Sequence, residues 1–289
     1  TGTPVLAACK ASFCARSPLT GIWCESTVGG FFGTTLKKAG YEGIIIQNTA
    51  SIPVYVWITD EKVEIRAARH IWGKDVYKAD RIIREETDEK AITACIGPAG
   101  EKGVKIAGVI SVIREKETRA AARGGLGCLM GKKNLKAIAV KSNKPVEIHD
   151  KAGLKRSLKV VIPAIKDATE RFSQFGTAGS VVGHEALGDL PVKNWQEGSW
   201  EKGAAKINGT GKLATMVVSH HTCHACPIRC KKSIRLSIGD YTGEIVPQPE
   251  YESLASLGSM VLNDDVEIIG VANDLCNRYG LDTMSTGDV

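Results

Sequence analysis

Hydrophobic residues in the first half of this chain fall in short alternating or continuous runs, and in the second half they recur at helical spacing. Residues 43 to 66, "GIIIQNTASIPVYVWITDEKVEIR", predict a strand, a loop and a hairpin whose Asp60-Glu61-Lys62 turn separates β-branched and aromatic runs. "KDVYKADRIIREETDEK" sets Val76, Tyr77, Ala79, Ile82 and Ile83 among charges, the spacing of an amphipathic helix. Strands are expected next at "AITACIG" and "VKIAGVISVI". The polar, proline-containing "KSNKPVEIHDKAG" then precedes a long helical pattern from about Leu154, which puts a domain boundary near residue 145.

The strongest helix lies in "NDDVEIIGVANDLCNRYGLD". Asn263 or Asp264 is its expected cap, and Val266, Ile269, Ala272, Leu275, Cys276 and Tyr279 its expected apolar face. Gly280 suits a left-handed stop, with Leu281 folding back on the last turn. Two Gly-rich turns, "VGGFFGTTLKKAGYEGIII" and "RGGLGCLMGKKNLKAIAV", each run from Gly-Gly through Leu-Lys to an aliphatic stretch, a weak internal repeat.

Composition narrows the class. With 289 residues, of which 43% are hydrophobic, the chain can bury one large core or two ordinary ones. No charged leader with an apolar segment opens it and no run approaches a membrane span, so the cytoplasm is the expected compartment. The net charge of +6 is interspersed, which favours a mildly basic surface over a dedicated nucleic-acid binder. Nine scattered cysteines, an odd count, fit reduced thiols or metal ligation better than a disulfide scaffold. The chain opens on Thr1 and stops just past a helix, which suggests a fragment.

The chemistry concentrates in "SHHTCHACPIRCKK", residues 219 to 232. Cys223, Cys226 and Cys230, spaced C-x-x-C-x-x-x-C, offer three thiolates from one loop. For zinc, the fourth ligand would be His224, His220 or His221; for an iron–sulfur cubane, a fourth cysteine must come from elsewhere. Arg229, Lys231 and Lys232 would surround an anionic cluster with positive charge. The Gly-rich turns can simply reverse the chain, or their N–H groups can cradle phosphate with Arg123 as a bidentate donor.

Taken in order, "VGGFFGTTLKKAGYEGIII", "IWGKD", "IGPAGE", "RGGLGCLMGKKNLKAIAV", "CHACPIRC", "PEYES" and "YGLDTMSTG" resemble the aldehyde ferredoxin oxidoreductase family of tungsten enzymes. The resemblance implies an α+β fold: an N-terminal β-rich domain of two pseudo-twofold-related sheets over residues 1–145, then a mainly α-helical domain over 146–289. It implies that the start of the first domain and the final helical domain lie outside this chain, which is about half the family's usual length.

By the same resemblance, two molybdopterins would hold tungsten, or molybdenum, through their own sulfurs, with magnesium bridging their phosphates. Gly29, Gly30, Arg123, Gly124, Gly125, Gly127 and Cys128 fall on the pterin-binding turns. Asn277, Gly280, Leu281 and Asp282 fall on a D-x-x-G-L-D motif, with Asn277 in place of its first aspartate. Cys223, Cys226 and Cys230 match the ligands of a [4Fe–4S] cluster whose fourth cysteine lies beyond residue 289. A glutamate of "PEYES" belongs beside the metal, and Glu252 is the expected one with Glu250 in reserve, since residues two apart do not share a helical face.

The implied reaction is aldehyde oxidation to a carboxylic acid, with electrons passed to ferredoxin or an iron–sulfur subunit and with room for a homodimer. A related reading is the tungsten subunit of a complex such as benzoyl-CoA reductase. A reading of another class is a zinc knuckle in a nucleic-acid-binding protein; the family reading expects neither nucleic acid nor membrane as partner.

Overall fold

A computed structural model describes residues Thr1–Val289, which divide into two compact units. The first comprises Thr1–Val160, Cys223–Cys226 and Asn277–Asp282; the second comprises Val161–Thr222, Pro227–Cys276 and Thr283–Val289.

In the first unit the hairpin β1 (Ala11–Arg16) and β2 (Trp23–Val28) leads into α1 (Phe32–Lys38). The hairpin β3 (Val54–Ile58) and β4 (Val63–Ala67) turns at residues 59–62, as the sequence predicts, and α2 (Val76–Glu86) follows. Then come β5 (Ile92–Cys95), the single turn α3 (Pro98–Glu101), β6 (Val109–Arg114), β7 (Glu117–Ala121), α4 (Leu126–Lys132) and β8 (Leu135–Val140). Six strands form one sheet in the order β4-β3-β8-β5-β6-β7, antiparallel except for β3 beside β8.

The alternation of β3 explains its central place. Tyr55 and Trp57 enter the core under α2, while Ile58, with Val54 and Val56, enters the core under α1 and α4. Strand β8 is buried along its whole length, and its Lys136 is neutralised by Glu101 and donates to the Lys74 carbonyl at 2.8 Å. Helix α2 begins where Asp75 accepts the Lys78 N–H at 2.9 Å, and it buries Val76, Tyr77, Ala79 and Ile83.

One expected strand is absent. Residues Gly43–Ile46 have no regular structure, and Ile45 is 90% exposed. Three consecutive isoleucines favour a strand only where another strand offers its ladder, and none pairs with this segment. The two Gly-rich turns therefore share their course only as far as a helix, α1 after the first and α4 after the second, and only the second reaches a strand.

In the second unit α5 (Lys151–Ala168), which begins in the first, is followed by α6 (Glu170–Phe175), α7 (Val181–Leu187), α8 (Glu201–Ile207) and α9 (Lys212–Thr215). A small sheet, β9 (Val217–His221), β10 (Lys231–Arg235) and β11 (Ile245–Pro247), stands among the helices in the order β11-β10-β9 and is not foreseen by the sequence pattern. Helices α10 (Tyr251–Leu257), α11 (Val266–Tyr279) and α12 (Thr283–Gly287) complete the chain. The core gathers Val181, Ile207, Leu213, Ile234, Leu254 and Ile269. The fold is thus α+β, sheet-rich first and helix-rich second, and no helix is long and apolar enough to cross a membrane.

Helix α11 departs from its expected cap and face. Asp265, rather than Asn263 or Asp264, accepts the Glu267 N–H at 2.9 Å, and Asn263 supports Asp265 from behind. The buried stripe runs through Val266, Ile269, Gly270, Asn273 and Cys276, while Ala272 and Leu275 are half-buried and Tyr279 is exposed. The buried polar members have partners, as with Asn273, whose Nδ2 donates to the Pro247 carbonyl at 3.0 Å, so a polar residue replaces the apolar one that the pattern predicts.

Candidate cofactor site

Gly127 and Cys128 of one motif and Gly280, Leu281 and Asp282 of the other meet in the first unit at Ile106–Gly108. The Gly108 N–H donates to the Gly280 carbonyl at 2.9 Å, and the Asp282 N–H donates to the Ile106 carbonyl at 3.1 Å. Leu281 does not fold back on α11; it bridges Ala107 in antiparallel fashion and packs with Ala99, Ala107 and Cys128. On the other side, the Gly127 N–H donates to the Ala107 carbonyl at 2.9 Å. Thr118 Oγ1 donates to Asn277 Oδ1 at 3.3 Å, and Asp282 is buried.

These approaches require glycine. A Cβ on Gly127 would lie 2.2 Å from the Gly108 carbonyl oxygen, and one on Gly97 would lie 2.1 Å from that of Tyr279. Gly280 takes φ +75°, the left-handed stop that the sequence predicts. Ser17 Oγ donates to the Gly124 carbonyl at 2.8 Å, so the β1–β2 hairpin buttresses this turn while the Arg123 side chain is exposed. Sequence reasoning gave no site role to Gly97, in the quoted "IGPAGE", or to Gly108, inside the expected strand "VKIAGVISVI".

The first Gly-rich turn meets the cysteine loop. A Cβ on Gly29 would lie 3.2 Å from Cys223 Sγ, and the His224 N–H donates to the Gly30 carbonyl at 3.1 Å. The Cys226 N–H donates to the Cys223 carbonyl at 3.1 Å, and Ala225 takes φ 51°, a left-handed conformation uncommon for a residue other than glycine. Cys9, which sequence reasoning passed over, is buried beside Cys223 and Cys226. Burial, and then the neighbouring sulfur of Cys223, push its thiol up to about 11, while the Gly30 N–H works the other way.

The histidines weighed as zinc ligands are engaged elsewhere. The ring Nε2 of His224 faces the Thr3 carbonyl at 3.2 Å, and that of His221 lies between the hydroxyls of Ser219 and Ser233 at 3.0 and 2.8 Å. The His220 ring is held below its ordinary pKa, first by burial and then by the charges of Lys232 and Arg229. No group of three or more His, Cys, Asp and Glu side chains is arranged to hold a metal ion.

Beneath Gly30 lies a second feature absent from the sequence reading. Arg119 on β7 is 6% exposed and its Nε and Nη2 have no hydrogen-bond acceptor; Ser111, its cross-strand partner on β6, has an unsatisfied buried hydroxyl. Nη1 donates to the Thr118 carbonyl at 2.7 Å, and Nη2 is ion-paired with Glu117 at 3.6 Å. Buried donors without acceptors cost roughly 1–3 kcal/mol each, a cost removed when a bound group brings oxygen or nitrogen acceptors. Acceptor atoms of a bound group would satisfy the Arg119 Nε and the Ser111 hydroxyl.

In the second unit, the basic residues around Cys230 are less available than their sequence suggests. Lys231 pairs with Glu250 at 2.6 Å. Lys232 is 3% exposed and donates to the Cys230 carbonyl at 3.2 Å, with burial lowering its pKa against the opposing pull of Cys230 and Glu250. Glu250 sits at the N-terminal boundary of α10, and Glu252, half-buried, in its first turn. Glu250 is the N-cap residue of α10 and is ion-paired, and Glu252 lies two residues further into the helix.

Comparison with known proteins agrees along the whole chain. The family model described as aldehyde ferredoxin oxidoreductase, N-terminal domain, matches residues 1–142, and that described as domains 2 and 3 matches residues 154–289. The tungsten-containing aldehyde ferredoxin oxidoreductase of Pyrococcus furiosus is 40% identical over 99% of this chain and 47% of its own length. An aliphatic sulfonate oxidoreductase, WOR-like subunit, from the same organism is 32% identical over 97% of this chain and 46% of its own. The active-site complex BamBC of benzoyl coenzyme A reductase shares the fold, with a TM-score of 0.80 over 98% of this chain and 44% of that one at 23% identity. The chain spans about half the length of the curated relatives it matches.

Proposed function

The chain belongs to the aldehyde ferredoxin oxidoreductase family, and from that premise we propose that it is part of a cytoplasmic tungstopterin and iron–sulfur enzyme that oxidises an aldehyde to a carboxylic acid. The balance is one aldehyde and one water giving one acid, two protons and two electrons, the electrons leaving singly to ferredoxin. The observation that carries the reading is the convergence of Gly127–Cys128 and Gly280–Asp282 on Ile106–Gly108 in one unit, with the Gly29–Gly30 turn of that unit against Cys223.

Family membership sets aside the zinc-knuckle reading, and the engagement of His221 and His224 agrees. When bound, the tungstopterin would accept the electron pair and the cluster would pass it on one electron at a time.

The residues of the chain have separate tasks. Gly29, Gly30, Gly124 and Gly125 would let backbone N–H groups approach the pterin phosphates, Gly127 packs its turn closely on Gly108, and Arg123 would neutralise phosphate charge. Asn277 and Asp282 offer an amide and a carboxylate to a pterin edge, with Gly280 and Leu281 fixing their placement. Cys223, Cys226 and Cys230 would hold a [4Fe–4S] cluster. Glu252 takes the proton released when water adds to the aldehyde carbon.

Purified holoprotein should contain tungsten, pterin and iron, and should reduce ferredoxin with an aldehyde but not with an aliphatic sulfonate; zinc in place of iron, or turnover with the sulfonate alone, would refute this reading. Arg123→Ala should leave the melting temperature unchanged, because the side chain is exposed, yet lower tungsten and pterin retention roughly tenfold or more, since a hydrogen bond to a charged group contributes about 1.5–3 kcal/mol. Full occupancy by metal analysis would remove Arg123 from the phosphate site.

A further inference from the structure

Strands β6 and β7 enclose a guanidinium with one edge unused. Arg119 and Ser111 are cross-strand partners, so their side chains share one face of the pair, and both residues are buried. Nη1 of Arg119 donates to the Thr118 carbonyl at 2.7 Å. Nε, Nη2 and the Ser111 hydroxyl make no hydrogen bond, and the Glu117 carboxylate, 3.6 Å from Nη2, reaches only one end of the group. Nε and Nη2 stand side by side on the guanidinium, as a pair that can grip a phosphate or carboxylate through two parallel bonds.

Arg84, in the same unit, shows what an arginine serving only the fold does with its donors. Its Nε donates to the Asp80 carboxylate at 2.9 Å, its Nη1 to the Glu89 carbonyl at 2.9 Å, and its Nη2 to the carbonyls of Val112 and Ile113 at 3.1 and 2.9 Å. Every nitrogen of Arg84 is used, whereas two of the three in Arg119 are not. Solvent does not reach those two atoms, so water does not complete them.

The first Gly-rich turn lies over this pair. Gly30 takes φ +86°, and a Cβ there would meet Ile113 Cδ1 at 3.0 Å and Arg119 Cγ at 3.1 Å, so the turn rests on the arginine stem because it has no side chain of its own. We propose that Arg119 and Ser111 are cofactor-binding residues: the Nε–Nη2 edge and the Ser111 hydroxyl donate to phosphate oxygens of the molybdopterin seated at the Gly29–Gly30 turn. This rests on the reading that the chain holds a pterin, and it adds an enclosed arginine to the exposed Arg123 of the second turn. The donors are closed to solvent before the group arrives, so its seating includes a shift of the side chains around them. The unmet donors are the cost that the unloaded protein bears for that site.

The test measures pterin and tungsten per chain in purified holoprotein, and the melting temperature of the same protein made in a host without molybdopterin. Arg119→Met keeps the length of the stem, and Arg119→Lys keeps the charge without the paired edge; each should lower pterin and tungsten roughly tenfold. Ser111→Ala should lower retention about threefold while raising the melting temperature of the pterin-free protein, because it deletes a buried hydroxyl that has no partner there. Residues serving only the fold would behave in the opposite way, with pterin-free stability falling and pterin per folded chain unchanged. Full pterin occupancy in both Arg119 variants would overturn the proposal. Should neither accumulate, Ser111→Ala decides: full pterin together with a lower pterin-free melting temperature would return the pair to packing. Wild-type holoprotein that contains no pterin would overturn the pterin reading itself, before any variant is compared.

Discussion

Glu252→Gln is expected to lower turnover by about a hundredfold or more, with tungsten, iron and melting temperature as in wild type. A hundredfold corresponds to about 2.7 kcal/mol of barrier, within the range that a positioned general base contributes. Glutamine keeps the shape and hydrogen-bonding reach of the side chain but cannot take a proton. Because Glu252 is half-buried in the first turn of α10, rather than enclosed in the core, the change leaves the fold in place. Glu250→Gln is the control. That carboxylate is bound to Lys231 at 2.6 Å, so its loss should alter turnover less than about threefold. The measurement is steady-state kcat on one aldehyde with metal content fixed. Turnover of Glu252→Gln within a factor of about two of wild type would exclude it as the base, and a collapse in Glu250→Gln alone would exchange the two roles.

Where an element is specified by its own sequence, the pattern was sufficient. The periodic face of α2, the β3–β4 hairpin and the left-handed stop at Gly280 all depend on residues close together in the chain. Where an element depends on a neighbour, the pattern misled. Gly43–Ile46 has strand propensity without a ladder to join, and α11 buries Asn273 where its period predicts Ala272 or Leu275 because distant polar groups meet it. The small β9–β10–β11 sheet was overlooked for a related reason: its strands span three to five residues, too short for periodicity to register.

The candidate site divides in the same way. Gly-rich turns, clustered cysteines and the "NRYGLD" segment are local signatures and could be quoted from the chain. Nothing local indicates that Ala107–Gly108 is where two of them dock, that Arg119 is buried beneath Gly30 with unsatisfied donors, or that Cys9 reaches Cys223. An arginine in "KETRAAARGG" reads as a surface charge until the sheet encloses it, and a lone cysteine reads as packing until a second sulfur lies beside it. The basic residues after Cys230 err in the opposite direction, since folding buries Lys232 and pairs Lys231.

Gly97→Ala should be among the most disruptive single substitutions in the first unit. Gly97 has φ −91° and ψ −175°, a backbone that any residue adopts, so no conformational strain enters and the effect is steric alone. The added Cβ would lie 2.1 Å from the Tyr279 carbonyl oxygen, 2.2 Å from its carbon and 2.7 Å from the Gly280 nitrogen. All three are backbone atoms, so no side chain can swing aside. Relief requires moving the start of α3 or the Asn277–Asp282 segment, and the second course breaks the bonds from Gly108 to Gly280 and from Asp282 to Ile106. Overpacking of this kind costs about 3 kcal/mol or more, which for a unit of this size lowers the melting temperature by roughly 6–12 °C. Gly43→Ala is the comparison: a Cβ there meets nothing within 4 Å, and stability should change by less than about 0.5 kcal/mol. Since the displaced segment carries Asn277 and Asp282, pterin retention should fall together with the melting temperature in Gly97→Ala. A variant that melts within about 2 °C of wild type and keeps its pterin would show that the docking of this segment on Gly97 does not hold the site together.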